Sequence, residues 1–100
     1  IYIDDSIEAM LGLLGEENQV FNLGSSNDLP IRHFAEQICN IVGYDQDKIY
    51  YNVDKYVGVR KRKLEVDKVK QTLINYCGTT LRDGLGKTIE FYHNNYGNSK

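Results

Sequence analysis

Apolar positions recur at helical spacing in three stretches of the chain. Ile7, Met10, Leu11 and Leu14 mark one face of a first helix, with Asp5-Ser6-Ile7-Glu8 as its capping box and Gly15 as its stop. Ile31, Phe34, Ala35, Ile38 and Val42 mark a second, which Pro30 opens in its first turn and Gly43 ends. Leu81, Leu85, Ile89, Tyr92 and Tyr96 form the stripe of a third, behind another capping box, Thr80-Leu81-Arg82-Asp83. A shorter helix over residues 67–75 would bury Val69 and Leu73. The β-branched and aromatic content of residues 48–53 predicts a strand, residues 20–23 a second short one, and residues 1–3 the end of another. Residues 24–28 read as a loop, and Asn94 onward as a fraying polar tail. The expected fold is therefore α/β, with about four helices and two or three short strands.

Composition narrows the class. One hundred residues, 41% hydrophobic and 26% charged, describe one ordinary globular domain and exclude a disordered chain. No apolar run approaches the roughly 18 residues of a membrane span. The chain opens Ile1-Tyr2-Ile3, with neither an initiator Met nor a basic leader, so the expectation is a piece of a longer protein without a visible signal peptide. Cys39 and Cys77 are too few and too far apart for a disulfide framework or a zinc site, which favours a reducing, cytoplasmic setting.

The net charge of −2 conceals an uneven distribution. Residues 1–30 hold Asp4, Asp5, Glu8, Glu16, Glu17 and Asp28 and no Lys or Arg. Residues 60–70 hold Arg60, Lys61, Arg62, Lys63, Lys68 and Lys70 against Glu65 and Asp67. So short a basic segment in an acidic chain suits one anionic ligand better than a long polyanion. Gly58-Val59-Arg60-Lys61-Arg62-Lys63 would be a flexible loop bringing one or two cations to a diphosphate, with Arg offering a bidentate fork. A solvated charge run is the plainer reading of the same residues, and a basic nucleic-acid patch a third.

Other suggestive spacings carry no chemistry. Gly86-Lys87-Thr88 ends like a phosphate-binding loop, but Leu81 stands where that loop needs its first glycine. Tyr44/Lys48 and Tyr51/Lys55 have Tyr-x-x-x-Lys spacing, which sets a phenol beside an ammonium only on a helix, and neither pair falls on one. His33 and His93 lie on different helices without a second ligand at metal spacing. No Gly-x-Gly-x-x-Gly loop follows a strand, so these residues offer no dinucleotide cradle.

The order of segments resembles the C-terminal part of the NAD(P)-dependent sugar-nucleotide epimerase/dehydratase family, the extended short-chain dehydrogenases. Tyr2-Ile3-Asp4-Asp5 resembles that family's aromatic-hydrophobic-Asp-Asp entry to a helix. Phe21-Asn22-Leu23-Gly24-Ser25 resembles its Asn-x-Gly strand end, followed by a helix closing on Ile41-Val42-Gly43. Gly58-Val59-Arg60-Lys61-Arg62 matches a Gly-x-x-basic-basic loop, with Leu64-Glu65-Val66-Asp67-Lys68-Val69 leading into the next helix. Thr80-Leu81-Arg82-Asp83-Gly84-Leu85 resembles the closing Ser/Thr-Leu-x-acid-Gly-Leu helix. Among the subfamilies, the loop is most similar to GDP-fucose synthases. Leu29-Pro30 departs from the usual Ser cap, and Tyr76-Cys77-Gly78 from a stretch that often holds Trp and Pro.

The resemblance implies that residues 1–96 are a substrate-binding C-terminal domain lacking the Rossmann domain, with residues 97–100 a tail. It implies Arg62, then Lys61, as contacts to a nucleotide-diphosphate sugar, and Arg60 as the register alternative. The catalytic Ser/Thr–Tyr–Lys set and the glycine-rich loop lie upstream of the matched region, so no catalytic, cofactor-binding or metal residue is assigned here. NAD or NADP would serve the parent enzyme and not this piece, which is expected to be inactive alone. Its expected partners are the sugar nucleotide, the Rossmann domain and further copies of itself, with neither nucleic acid nor membrane. The alternative is a stand-alone binding module that uses loop 60–63 for an anionic partner.

Overall fold

A tyrosine in extended conformation, Tyr2, leads into the first helix, α1 (Ile3–Gly12). The computed structural model describes residues 1–58, 61 and 63–97. Helix α1 starts ahead of the expected capping box because Asp5 does not cap it. Its carboxylate reaches across the molecule, where Oδ2 accepts from the Thr79 backbone N–H at 3.0 Å and Oδ1 from the Thr79 hydroxyl at 2.9 Å. Asp4 and Asp5 still lie in the first turn, where negative charge favours the helix dipole. The helix ends at Gly12, before Gly15, where a side chain on residue 12 would meet Leu73 at 3.0 Å.

Helix α2 (Ile31–Val42) follows Pro30, as the periodicity predicts. Gly43 closes it at φ 75°, and the Tyr44 N–H donates to the Cys39 carbonyl at 3.0 Å, a six-to-one closure that ends the helix sharply. An alanine at 43 would be forced into the left-handed region. Gly43→Ala is therefore expected to lower the unfolding free energy by about 1 kcal/mol, read by urea denaturation. A single 3-10 turn, Gln46–Lys48, comes next, with the Asp45 carboxylate accepting from the Asp47 N–H at 3.0 Å.

Helix α3 (Asp67–Thr72) is shorter than the apolar spacing predicts, yet it carries Val69, the most deeply buried side chain. Helix α4 (Leu81–Tyr96) is capped by Thr80, whose hydroxyl oxygen accepts from the Asp83 N–H at 3.1 Å. That is the forward half of the expected capping box. The helix runs through Asn94 to Tyr96, so the polar residues there are helical and not a frayed tail. Gly84 is buried in α4 where Tyr2 crosses, and a side chain there would stand 3.4 Å from the tyrosine Cβ.

The expected α/β class is wrong: the described residues contain helices and turns and no strand. Residues 1–3 enter α1, and residues 48–53 run from the 3-10 turn into irregular chain. Residues 20–24 do lie alongside 64–68, but side chains bridge them: Asn22 Nδ2 donates to the Glu65 carbonyl at 3.2 Å, and Lys68 Nζ to the Val20 carbonyl at 2.9 Å. A strand needs a neighbour for its backbone N–H and C=O groups, and none of the three segments finds one among the described residues. Several of their β-type side chains stay exposed, with Val20, Tyr50 and Val53 at 82%, 82% and 83%.

Among the described residues the buried apolar core is small: Ala9, Cys39, Val66 and Val69. The radius of gyration is 16.7 Å, against about 13 Å for a compact chain of this length. Its accessible surface of 8517 Å² exceeds the roughly 5,800 Å² of a compact monomer of this mass. Much apolar surface is therefore left uncovered. No helix among the described residues is long and apolar enough to cross a membrane.

Candidate functional site

The basic segment divides into two groups of cations. Lys68 and Lys70 are used within the fold. Lys68 Nζ donates to the Val20 carbonyl and sits 4.5 Å from the centre of the Phe21 ring, while Lys70 Nζ donates to the Ser26 hydroxyl at 3.3 Å. Both follow from α3, which begins at Asp67 and points its basic residues at the 20–26 loop. Lys61 and Lys63 stand exposed, free of such duties in the 20–26 loop. Arg62 and its register alternative Arg60 lie outside the described residues. Of the three predicted ligand contacts, only Lys61 can thus be placed, and it is open to solvent.

The loop 24–28 beside this segment is held by Tyr76. The tyrosine hydroxyl donates to the Gly24 carbonyl at 2.7 Å and accepts from the Gly24 N–H at 2.6 Å, so one side chain satisfies both backbone groups of a buried residue. Burial raises the Tyr76 pKa above 10.0; the Gly24 hydrogen bond opposes this, and Cys77 and Asp5 add smaller upward pushes. Sequence reasoning marked Tyr76 only as a departure from the family pattern. Its signal would have been a phenol just after a short helix, facing an Asn-x-Gly turn.

Between that loop, Tyr2 and the start of α4 lies a cleft of about 530 Å³. Its hydroxyls already have partners. Ser25 accepts from the Asn27 N–H, Ser26 from Lys70, Thr79 donates to Asp5, and Thr80 caps α4. A second cleft, of about 340 Å³, separates α1 from residues 72–77. Cys77 lines the second cleft with Asp5 and Glu8, but both Asp5 oxygens already accept from Thr79. The chemistry available is anion binding at the exposed cations.

The discarded motifs stay discarded on structural grounds. Lys87 lies 5.5 Å from the centre of the Tyr2 ring, and the Thr88 hydroxyl donates to the Gly84 carbonyl, both in the middle of α4. Tyr51 packs under the Arg32 guanidinium at 4.9 Å, and neither Tyr-x-x-x-Lys pair is helical. Cys39 is buried and Cys77 half-buried, and both are free thiols. Among the described residues no three His, Cys, Asp or Glu side chains gather as a metal would need. A dinucleotide cofactor does not fit either, since no strand–glycine turn–helix unit occurs in the described residues.

Comparison with known proteins adds one finding of kinship. No protein-family profile matches the chain, and no solved structure matches it. The chain is 30% identical over 99 residues to a trifunctional UDP-glucose 4,6-dehydratase/UDP-4-keto-6-deoxy-D-glucose 3,5-epimerase/UDP-4-keto-L-rhamnose-reductase of Arabidopsis thaliana. The match takes in 95% of this chain but spans only 15% of the plant protein. It supports kinship with sugar-nucleotide dehydratases, epimerases and reductases as a group, and does not single out GDP-fucose synthase.

Proposed function

We propose that residues 1–96 form the substrate-binding part of an NAD(P)-dependent sugar-nucleotide epimerase, dehydratase or reductase. The observation that carries this reading is similarity along almost the whole chain to one small region of such an enzyme. The exposed Lys61, with Arg62 beside it in sequence, would pair with the diphosphate of the sugar nucleotide, and Arg60 is the alternative in register. This piece contributes contacts and no catalytic set; the parent's Rossmann domain would supply the cofactor and the proton-transfer groups. The relative's name concerns UDP sugars, whereas the Gly-x-x-basic-basic loop resembles that of GDP-fucose synthase. The base is therefore decided by titrating UDP- and GDP-linked sugars in parallel against the parent enzyme.

The reading is tested first on the reading frame. Roughly 200 codons encoding a glycine-rich strand–turn–helix are expected upstream, given the usual size of such a domain. A frame beginning at this segment would sink the proposal and favour a stand-alone anion-binding module. A second test uses the purified 100-residue chain, which is expected to leave NAD(P)H unchanged when given sugar nucleotides. Measurable hydride transfer would overturn the division of labour.

A further inference from the structure

The basic segment is anchored on its C-terminal side. After Lys63 the chain enters a stem, residues 64–66, that is fastened to the 20–26 segment and to α3. Asn22 Nδ2 donates to the Glu65 carbonyl at 3.2 Å, and Leu64 Cδ1 covers Gly24 so closely that a side chain there would meet it at 2.8 Å. The Glu65 carboxylate accepts from the Asp67 N–H at 3.2 Å, at the start of α3, and Val66 is buried. Among the described residues 53–58 no contact of this kind occurs. Val53, Tyr56 and Val57 are exposed there, and the Asp54 N–H donates to the Asn52 carboxamide oxygen two residues back.

The stem therefore governs where Lys61 can stand. Three residues of extended chain reach at most about 11 Å, so an anchored Leu64 confines Lys61 to that radius. Behind the stem the anchor is layered. Tyr76 holds both backbone groups of Gly24, and Lys68 and Lys70 tie Val20 and Ser26 to α3. Asn22 supplies the hydrogen bond from this segment to the stem itself, and both Asn22 and Glu65 are exposed. Its loss leaves no buried group unpaired, so it loosens the stem and spares the fold.

We propose that Asn22 is a positioning residue for ligand binding: through the Glu65 carbonyl it holds the stem of the basic loop and so sets where Lys61 meets the diphosphate. The proposal rests on the sugar-nucleotide reading above and adds to it a residue that acts through the loop. Its mechanical part is read on this chain without ligand. Asn22→Leu keeps the approximate size of the side chain and removes the donor. The heteronuclear NOE of the Lys61, Lys63 and Leu64 amides should then fall, while the amides of α2 and α4 keep theirs.

The functional part is read in the parent enzyme. Asn22→Leu should raise KM for the sugar nucleotide about 3- to 10-fold, the scale of one neutral hydrogen bond, with kcat unchanged. In a background of Arg60→Gln/Lys61→Gln/Arg62→Gln the same substitution should change KM by less than about twofold, because the cations through which it acts are gone.

Unaltered NOE values at Lys61, Lys63 and Leu64 overturn the proposal. So does an Asn22→Leu effect that persists undiminished in the neutralised background, which is what a purely structural role predicts. If the triple substitution itself leaves KM unchanged, the diphosphate reading fails and this inference with it. If the triple substitution raises KM and Asn22→Leu does not, the inference fails alone and the reading stands. Circular dichroism checks that Asn22→Leu keeps its helices. Should it unfold, Leu64→Ala, which removes the contact over Gly24 on the same stem, replaces it in every arm.

Discussion

Tyr76→Phe is expected to lower the unfolding free energy by about 2–3 kcal/mol, although it removes only one oxygen. The loss is large because both backbone groups of Gly24 pair with that hydroxyl and Gly24 is buried. A buried donor and acceptor left without partners each cost about 1–3 kcal/mol. Urea denaturation of the two proteins measures the difference. A change below about 0.5 kcal/mol, the usual scale of a neutral surface substitution, would show that the contact contributes nothing.

The same contact has a pH signature. Because the Tyr76 pKa is raised in the folded state, the folded protein holds its phenolic proton more tightly than the unfolded chain does. The resulting stability is fully present below pH about 10 and is lost as pH rises through the higher folded value. An ionised Tyr76 could no longer donate to the Gly24 carbonyl. Stability of the wild-type chain should therefore fall more steeply above pH about 10 than that of Tyr76→Phe. Parallel alkaline profiles would remove the hydroxyl from the account.

Arg62→Ala in the parent enzyme should raise KM for the sugar nucleotide by about 10- to 150-fold. That range corresponds to the roughly 1.5–3 kcal/mol of a charged hydrogen bond. The change should fall on KM and leave kcat nearly constant, because the diphosphate is held alike in the ground and transition states. Arg60→Ala is the control for register: if it carries the larger effect, the loop is shifted in its site. Unchanged kinetics for both variants would remove the diphosphate contact from this loop.

The two longest helices were legible because their signals are local. Pro30 and Gly43 bracket α2, and Thr80 with Asp83 opens α4, each within a few residues of the terminus that it sets. The strands were misread because β-propensity describes a side chain suited to a pleated surface, while a strand exists only where a neighbour pairs with it. Residues 20–23 have that chemistry, but they meet the 64–68 segment through Asn22 and Lys68 side chains. Asp5 misled in a similar way. Its position fits a capping box, yet its carboxylate serves Thr79, a residue that no local pattern connects with it. Within the candidate site, charge counting located the basic segment. It did not separate Lys68 and Lys70, bound into the fold, from the exposed Lys61 and Lys63.

The ties from Tyr76 to Gly24 and from Thr79 to Asp5 join residues 52 and 74 positions apart. Closing loops of such length costs about 3–4 kcal/mol of chain entropy before any contact compensates. Contacts of that reach are expected to form after the local helices, because the chain entropy is lost before they compensate it. A substitution that breaks either tie should then leave the refolding rate nearly unchanged and accelerate unfolding. One phenol and one carboxylate should then weigh more on the lifetime of the folded chain than on the speed at which it is reached.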